Sequence, residues 1–209
     1  MKIILASGSP RRLEILKKHG IDPVVVPSDA DETLPPEYET RSLDDIVRYL
    51  AHIKARAVYE QLTTKGESSI FTHEGEGEGE GEVACEPTMV LGADTIVYKD
   101  FMIGKPVDEA DAFRILSHLR NSEHLVITGV CLIDLATGEE TQFAETTRVF
   151  FKDYPDEEIR RFLREEPPYD KSGSYAIQSS WTKNVDRIEG ELENVIGLPW
   201  RRLAAYITD

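Results

Sequence analysis

The chain has 209 residues, with 24 Lys and Arg against 39 Asp and Glu, so that its net charge is −15 at pH 7. This acidity argues against a general nucleic-acid-binding protein, which needs a basic surface, and no apolar run approaches the roughly 18 residues of a membrane helix. The two cysteines are too few for a disulfide framework and favour a reducing compartment. We therefore expect a single domain over residues 1–209, located in the cytoplasm, that binds neither nucleic acid nor membranes.

Apolar periodicity and turn signals predict strands and helices that alternate along the chain. The predicted strands cover residues 3–6, 24–26, 90–98 and 101–103, followed by a long antiparallel hairpin over 124–134 and 141–151. The predicted helices cover 10–19, 42–59, 156–164 and 199–207, a further helix follows the cap residue Asp108, and 165–186 is expected to be mostly loop. This order predicts an α/β fold with a mixed twisted sheet flanked by helices.

One segment does not fit this order. From residue 74 to residue 82, Glu and Gly alternate strictly, with five Glu and four Gly. Such a run has no apolar face and its charges repel one another, so it cannot offset the entropy cost of becoming ordered. We expect a flexible surface insertion over roughly 63–87, with an acidic docking segment or a cation-binding run as the alternative.

Residues 7–12, Ser-Gly-Ser-Pro-Arg-Arg, lead from the first predicted strand into a helix. The first amides of a helix are unpaired and carry a partial positive charge, so they can bind an anion. Arg11 and Arg12 oppose the helix dipole in this first turn, and a bound phosphate would explain their position. The alternative is an ordinary Ser-Pro helix start with two exposed arginines.

Lys54 lies on the apolar side of the helix predicted at 42–59. On a helical wheel it falls about 20° from Leu43, near the centre of the apolar stripe. A lysine at such a position snorkels to solvent, pairs with a carboxylate or reaches a ligand. The sequence leaves these three alternatives open.

Asp94 interrupts the apolar strand predicted at 90–98. Asp is disfavoured in strands, and a buried carboxylate without a cation is costly. The cation could be a divalent metal or a lysine, such as Lys105 in the Gly-Lys-Pro sequence that follows. An aspartate with a divalent ion also brings water to a phosphoryl group. The structural alternative is an aspartate that only accepts backbone hydrogen bonds.

Residues 170–178, Asp-Lys-Ser-Gly-Ser-Tyr-Ala-Ile-Gln, have the composition of a binding loop. Lys171 supplies a cation, and Gln178 offers a donor and an acceptor together, as reading a base edge requires. A polar turn without a ligand is the alternative. The five histidines show neither metal-ligand spacing nor a pairing with a Ser or Cys nucleophile.

Taken together, these motifs resemble the Maf family of nucleoside triphosphate pyrophosphatases. The resemblance runs in order from residue 3 to about residue 203, and it rests on the segments 5–12, 31–32, 54–55, 92–95, 104–106, 128–130, 170–178 and 196–199. Each segment is short, but the ordered set is specific. The Glu/Gly run lies between two of these segments, so it leaves the assignment of site residues unaffected.

The resemblance implies hydrolysis of a nucleoside triphosphate to the monophosphate and pyrophosphate with a divalent cation, Mg²⁺ or Mn²⁺. It implies a central cleft in a fold similar to that of the inosine triphosphate pyrophosphatases. Asp94 would accept a proton, and Asp94 with Glu32 would hold the metal. The motifs and the resemblance together give a set of expected substrate-binding residues: Ser7, Arg11, Arg12, Glu32, Lys54, Thr95, Lys105, Lys171 and Gln178.

The resemblance also implies a base preference. In the family, an Arg after Ser-Pro, a Thr after the Asp and a Gln in the late loop accompany a preference for dTTP and UTP, and Arg11, Thr95 and Gln178 match this pattern. A Trp and a Glu at the first and last of these positions would indicate the branch that acts on 7-methyl-GTP. A nucleotide-sensing regulator of cell division with little turnover is the alternative to an enzyme. The oligomeric state is left open, with a homodimer as one alternative.

Overall fold

The computed structural model of the protein describes residues 1–64 and 86–208. The Glu/Gly run at 74–82, and most of the insertion predicted at 63–87, lie outside the described residues. The prediction of a flexible insertion therefore stays a prediction.

Seven strands and six α-helices are described. The strands are β1 (Lys2–Leu5), β2 (Val24–Val25), β3 (Thr88–Lys99), β4 (Phe101–Ile103), β5 (Glu123–Asp134), β6 (Glu140–Phe151) and β7 (Val185–Glu189). The helices are α1 (Pro10–Lys18), α2 (Leu43–Thr64), α3 (Glu109–Leu119), α4 (Asp156–Glu165), α5 (Leu192–Ile196) and α6 (Trp200–Ile207). Short 3₁₀ turns occur at Pro36–Tyr38, Ser172–Ser174 and Ser180–Asn184. None of the helices in these ranges is long and apolar enough to cross a membrane.

The strands form a mixed sheet in the order β2-β1-β3-β5-β6-β7, and β4 pairs with β3 outside this path. Strand β1 pairs in parallel with β2 and with β3, where Ile4 lies opposite Val24 on one side and Val90 on the other. The β3–β4 and β6–β7 pairs are antiparallel. The predicted α/β fold, a mixed sheet flanked by helices, is confirmed.

The described residues divide into two compact units. The first contains β1, α1, β2, α2, the beginning of β3, the residues of β5 and β6 around the turn between them, and most of α6. The second contains residues 95–128 and 144–202. The prediction of one domain over the whole chain stays a prediction, and each unit is described by itself.

Two glycines of the first unit allow helix α2 to lie directly on the strands. A Cβ atom at Gly92 would collide with the backbone carbonyl of Ala51, and one at Gly129 would collide with that of Val47. Since Gly92 stands two residues before Asp94 on β3, and Ala51 three residues before Lys54 on α2, this close approach places Lys54 next to Asp94. The surrounding core is apolar and includes Ile4, Ala6, Ala51, Ala55, Val58, Leu62, Val90, Cys131, Ile133 and Leu135.

The second unit has its own core, in which helices α3 and α4 pack with a cluster of aromatic rings. Helix α3 begins as predicted, because the carboxylate of Asp108 accepts a hydrogen bond from the Asp111 amide at 2.8 Å and so caps the helix. The aromatic members of this core are Phe151, Tyr154, Phe162, Tyr175 and Trp181.

Strand β7 and helix α5 were not predicted. The five residues of β7 are exposed or half-buried, as is typical of an edge strand, so they carry no apolar run to mark it. Helix α5 has only five residues, too few for the periodicity of a helix to stand out. The other strands and helices begin and end within a few residues of their predicted limits, and α2 continues beyond its predicted end to Thr64.

Candidate functional site: a charged cluster around Lys54 and Asp94

The link between β1 and α1 brings together the first group of predicted site residues. Ser9 is the N-cap residue of α1 and Pro10 its first residue, as predicted, but the Ser9 side chain makes no capping hydrogen bond. With no Ser9 hydroxyl on the first amides and no acidic residue in the first turn, this end of α1 keeps the electrostatic character that attracts anions. The two arginines follow immediately in the first turn.

Ser7 is buried, and its hydroxyl oxygen accepts two hydrogen bonds. The Ser9 amide donates one at 3.2 Å, and the Arg12 guanidinium donates the other at 3.0 Å. A hydroxyl has two lone pairs and one proton. Because both lone pairs are engaged, the proton of Ser7 is what the hydroxyl offers to a further partner, which must then be an acceptor such as a phosphate oxygen.

The Arg12 guanidinium donates to the Ser7 hydroxyl, and its charge is influenced by the carboxylates of Asp94 and Glu32. Loss of hydration on burial lowers the pKa of Arg12, the carboxylates of Asp94 and Glu32 oppose this shift, and neighbouring Arg11 adds to it. Arginine stays protonated in proteins. The group is therefore a partly dehydrated, permanently charged cation, and such a cation interacts strongly with an anion.

Lys54 forms the centre of the cluster. Its side chain is only 11% exposed, and its ammonium lies 2.5 Å from Oδ1 of Asp94 and 2.9 Å from Oε2 of Glu32. Of the three alternatives left open by the sequence, the structure selects pairing with carboxylates. The lysine that pairs with Asp94 is thus Lys54 on α2, whereas the sequence had suggested Lys105 for this role.

The two carboxylates differ in their surroundings. The Asp94 side chain is 14% exposed, whereas that of Glu32, on the loop between β2 and α2, is 59% exposed. The pair of Lys54 with Asp94 is the less hydrated of the two, so its charges interact more strongly than charges on the surface. Separating them costs more unless another charged group takes the place of the lost partner. An anion that binds Lys54 therefore competes with these two carboxylates, or takes the third N–H of the ammonium.

A divalent metal fits the donor set of this cluster. Among the described residues, no group of three or more His, Cys, Asp and Glu side chains is arranged to hold a metal ion by itself. Asp94 and Glu32 nevertheless converge on one point, the Lys54 ammonium. Mg²⁺ at phosphate sites takes one or two carboxylates and completes its coordination with phosphate oxygens and water. Two convergent carboxylates meet that requirement when a triphosphate is bound.

The remaining predicted residues lie in the second unit. The Gly173 amide donates a hydrogen bond to the Gly104 carbonyl at 3.2 Å, so the Gly-Lys-Pro loop and the segment at 170–178 adjoin. Lys105 is exposed, and the Lys171 ammonium lies 2.5 Å from the Asp170 carboxylate. Gln178 is also exposed, so its amide can reach a ligand without a rearrangement of the core.

Thr95 belongs to a chain of hydrogen bonds that the sequence did not predict. The Thr128 hydroxyl donates to the backbone carbonyl of Asn194 at 3.1 Å and lies 2.9 Å from the Thr95 hydroxyl. Since Thr128 has only one proton, Thr95 must be the donor in their shared bond. Side chains alternate along a strand, so Thr95 points away from the face of β3 that carries Asp94.

The side chain of Asn194 completes this chain of hydrogen bonds. Its amide donates to the Val126 carbonyl at 3.1 Å and to the Thr147 hydroxyl at 3.0 Å. Thr128, Thr147 and Asn194 are all fully buried. Thr128 and Asn194 lie in or next to the sequences Thr-Gly-Val and Ile-Gly-Leu-Pro, but no local pattern shows that they bond across 66 residues.

A sequence profile described as Maf-like protein matches residues 2–209. The chain belongs to the Maf family. Its similarity to individual relatives extends over nearly the full length of both chains, so the match is not confined to the short motifs.

Three relatives illustrate this similarity. A dTTP/UTP pyrophosphatase of Acetivibrio thermocellus is 39% identical over 209 residues, which cover 100% of this chain and 95% of that protein. A protein of the same name from Caldicellulosiruptor saccharolyticus is 37% identical, covering 97% and 91% of the two chains. The dTTP/UTP pyrophosphatase of Geobacter sp. strain M21 is 41% identical, covering 94% and 89%.

Among solved structures, a nucleoside-triphosphatase/dITP/XTP pyrophosphatase of Mycobacterium abscessus aligns with 18% identity over 74% of this chain and 76% of that one. Its TM-score is 0.39. Membership of the Maf family rests on the sequence match.

Proposed function

We propose that this Maf protein hydrolyses nucleoside triphosphates to the monophosphate and pyrophosphate, and that it prefers dTTP and UTP. The observation that carries the proposal is the ion pair between Lys54 and Asp94 beside Arg12. A pure phosphate-binding site needs only cations, whereas this cluster keeps a carboxylate among them. The printed names of the relatives from Acetivibrio, Caldicellulosiruptor and Geobacter support the same reaction.

The first unit would bind the triphosphate chain. We assign the contacts to the Ser7 hydroxyl as a donor, to the guanidinium groups of Arg11 and Arg12, and to the Lys54 ammonium. A charged hydrogen bond contributes about 1.5–3 kcal/mol, so three such cations can offset the cost of removing phosphate groups from water. Lys105 and Lys171 are further proposed phosphate contacts.

Lys54 has a specific role in this proposal, because its partner changes when substrate arrives. In the free protein its ammonium neutralises Asp94. A phosphate oxygen that takes over the ammonium leaves Asp94 without its cation, and the carboxylate can then accept a proton from the attacking water. Substrate binding and activation of the base are therefore coupled through one side chain.

Asp94 and Glu32 are also the residues that would hold Mg²⁺ or Mn²⁺ together with the phosphates. A divalent ion at this position supplies neutralisation of the negative charge that builds up on the phosphoryl oxygens and on departing pyrophosphate. The chain itself provides the two carboxylates and a position for Asp94 that is largely shielded from water. It also provides the cationic side chains that would neutralise the leaving group.

Base preference is assigned to Arg11, Thr95 and Gln178. An amide side chain can accept from an imide N–H and donate to a carbonyl, and thymine and uracil present both. Thr95 would act as an acceptor, since its own proton is directed to Thr128. We propose the cytoplasm as the location, and neither nucleic acid nor a membrane as a partner.

A nucleotide panel tests the proposed reaction. Wild-type protein is incubated with each common triphosphate and with 7-methyl-GTP, in Mg²⁺ or Mn²⁺, and released pyrophosphate is scored separately from orthophosphate. We expect pyrophosphate, fastest from dTTP and UTP. A preference for 7-methyl-GTP would reject the base assignment and keep the reaction, whereas binding without pyrophosphate release would favour the nucleotide-sensing regulator.

A further inference from the structure

His124 is buried in the second unit at the start of β5, with only 1% of its surface exposed. Its Nε2 lies 2.7 Å from the hydroxyl of Tyr175, and its ring packs edge-on against the rings of Phe151 and Tyr175, with centroids 4.7 and 5.5 Å away. Tyr175 belongs to the segment 170–178. The contact thus ties β5 to the segment that carries Lys171 and Gln178.

The chemistry of this pair indicates which group donates. Burial lowers the pKa of His124 to about 3, and nearby Lys99 adds to the shift, while burial raises the pKa of Tyr175. Both side chains are therefore neutral near pH 7. Within the described residues Nδ1 of His124 has no hydrogen-bond partner.

Two proton arrangements are available to a neutral pair. If Nε2 of His124 donates to Tyr175, the Nδ1 lone pair and the phenol proton both lack a partner. If Tyr175 donates to Nε2, only the Nδ1–H group does. Because each unpaired buried polar group is costly, Tyr175 is the donor and His124 the acceptor.

The two residues just before Tyr175 have an unusual backbone conformation that requires support from neighbouring contacts. Gly173 has a φ of +76° and Ser174 a φ of +60°, so two successive residues lie in the left-handed region, which a non-glycine residue rarely adopts. Gly173 also contacts Val97 so closely that a Cβ would lie 3.0 Å from its side chain. The Tyr175–His124 bond follows this turn directly and fixes the position of the chain beyond it.

We propose that His124 is a positioning residue for nucleotide recognition. By accepting a hydrogen bond from the Tyr175 hydroxyl it holds the left-handed turn at Gly173 and Ser174, and through this turn it sets the directions from which Lys171 and Gln178 meet the nucleotide. His124 itself touches neither the substrate nor the reacting atoms. The inference rests on the proposed function for the roles of Lys171 and Gln178, but the contact that it invokes can be tested without turnover.

The test compares two tyrosines of the same core. Tyr175→Phe removes the bond to His124, while Tyr154→Phe is the matched control. Tyr154 is 4% exposed, its hydroxyl donates to the Leu116 carbonyl at 2.7 Å, and its ring also packs against Phe151. Each variant loses one buried hydroxyl and one hydrogen bond of the same length, but only Tyr175 belongs to the segment 170–178.

We expect Tyr175→Phe to raise the KM for dTTP roughly three- to tenfold, the range for one buried hydrogen bond, with a smaller effect on kcat. Tyr154→Phe should lower the melting temperature about as much as Tyr175→Phe does, and it should leave KM unchanged. His124→Phe should reproduce the KM of Tyr175→Phe, and the double variant should be no worse than either single one. His124→Gln, whose amide can reach the position of Nε2, should restore part of the wild-type KM.

Hydrogen exchange of backbone amides tests the Tyr175–His124 contact in the absence of nucleotide. Amides of residues 171–178 should exchange faster in Tyr175→Phe than in wild type or Tyr154→Phe. Equal exchange in all three proteins, or equal KM values for the two tyrosine variants, would overturn the proposal. If wild type releases no pyrophosphate, the proposed function fails and the exchange rates alone decide whether His124 positions the segment.

Discussion

The charged cluster of the first unit and the segment 170–178 of the second hold their side chains by opposite means. Lys54 is fixed by two carboxylates at 2.5 and 2.9 Å, and an incoming anion can replace either of them. Tyr175 is fixed by one neutral bond to His124 in a core closed to water. The comparison indicates that exchangeable ionic contacts serve the group expected to change partners, whereas buried neutral contacts serve the segment expected to stay in place.

Replacing the carboxylate of the cluster should have the largest effect. Asp94→Asn keeps the size of the side chain but removes its basicity, so kcat should fall by about 10²-fold or more, the range for loss of a general base. Circular dichroism and the melting temperature should show an intact fold. Near-normal turnover by folded Asp94→Asn protein would refute the role of Asp94 and remove one side of the comparison.

Removing the cations of the cluster should weaken substrate binding. Lys54→Met and Arg12→Met should each cost roughly 1.5–3 kcal/mol in triphosphate affinity, as expected for a charged hydrogen bond. Isothermal titration with a non-hydrolysable dTTP analogue measures the change directly. Arg202→Met, which removes a cation at the surface 3.9 Å from Glu145, is the control. An equal loss of affinity in the control would mean that only the overall charge matters.

Buried, neutral His124 should instead make the free energy of unfolding depend on pH. The pKa of His124 is about 3 in the folded protein, against 6.5 for a free imidazole, so the unfolded chain binds a proton that the folded one excludes. The contribution of His124 to the free energy of unfolding is fully present above pH 6.5. It falls by up to about 1.4 kcal/mol per pH unit as the pH decreases towards 3. Urea titrations from pH 7 to pH 4.5 should show a steeper loss for wild type than for His124→Phe. Parallel curves would contradict the buried neutral histidine.

Base selection provides a smaller test of the segment 170–178. Gln178→Glu keeps the length of the side chain but replaces a donor with an acceptor, so a site that hydrogen-bonds thymine or uracil should lose more with these bases than with others. We expect kcat/KM to fall more for dTTP and UTP than for GTP. A uniform decrease for all triphosphates would show that Gln178 does not read the base.

Deleting the Glu/Gly run should have the smallest effect. Residues 74–82 have no apolar side chains, and the entropy of loop closure changes slowly with loop length, so a short Gly/Ser bridge should alter stability by no more than about 1 kcal/mol. Thermal melts and dTTP turnover measure the outcome. A large loss of either would give this acidic run a function of its own, separate from the charged cluster and from the segment 170–178.

The sequence predicted the charged cluster better than the neutral pair of His124 and Tyr175, for a physical reason. Lys54 on an apolar helix stripe and Asp94 in an apolar strand each violate a local rule, so each is visible without knowledge of its partner. His124 and Tyr175 violate nothing, because a His in a strand and a Tyr in a loop are ordinary until the fold brings them together across 51 residues. Thr128 and Asn194 escaped detection for the same reason.

The fold was predictable to a similar extent. Long elements with a clear apolar period, such as α2 and the hairpin of β5 and β6, were predicted, whereas β7 and α5 are too short or too polar to show one. Gly92 belongs to the segment 92–95, but its effect is visible only in the structure, since the contact with Ala51 explains why α2 can bring Lys54 to Asp94.

The most direct test of the account is hydrolysis of dTTP in water labelled with ¹⁸O. If Asp94 activates water for attack on the α-phosphorus, the label should appear in dTMP and not in pyrophosphate, and Asp94→Asn should slow its incorporation by about 10²-fold or more. Mass spectrometry of the two products measures this in one reaction. Label in pyrophosphate, release of orthophosphate and dTDP, or an unchanged rate of incorporation by Asp94→Asn would contradict the proposed reaction at this cluster.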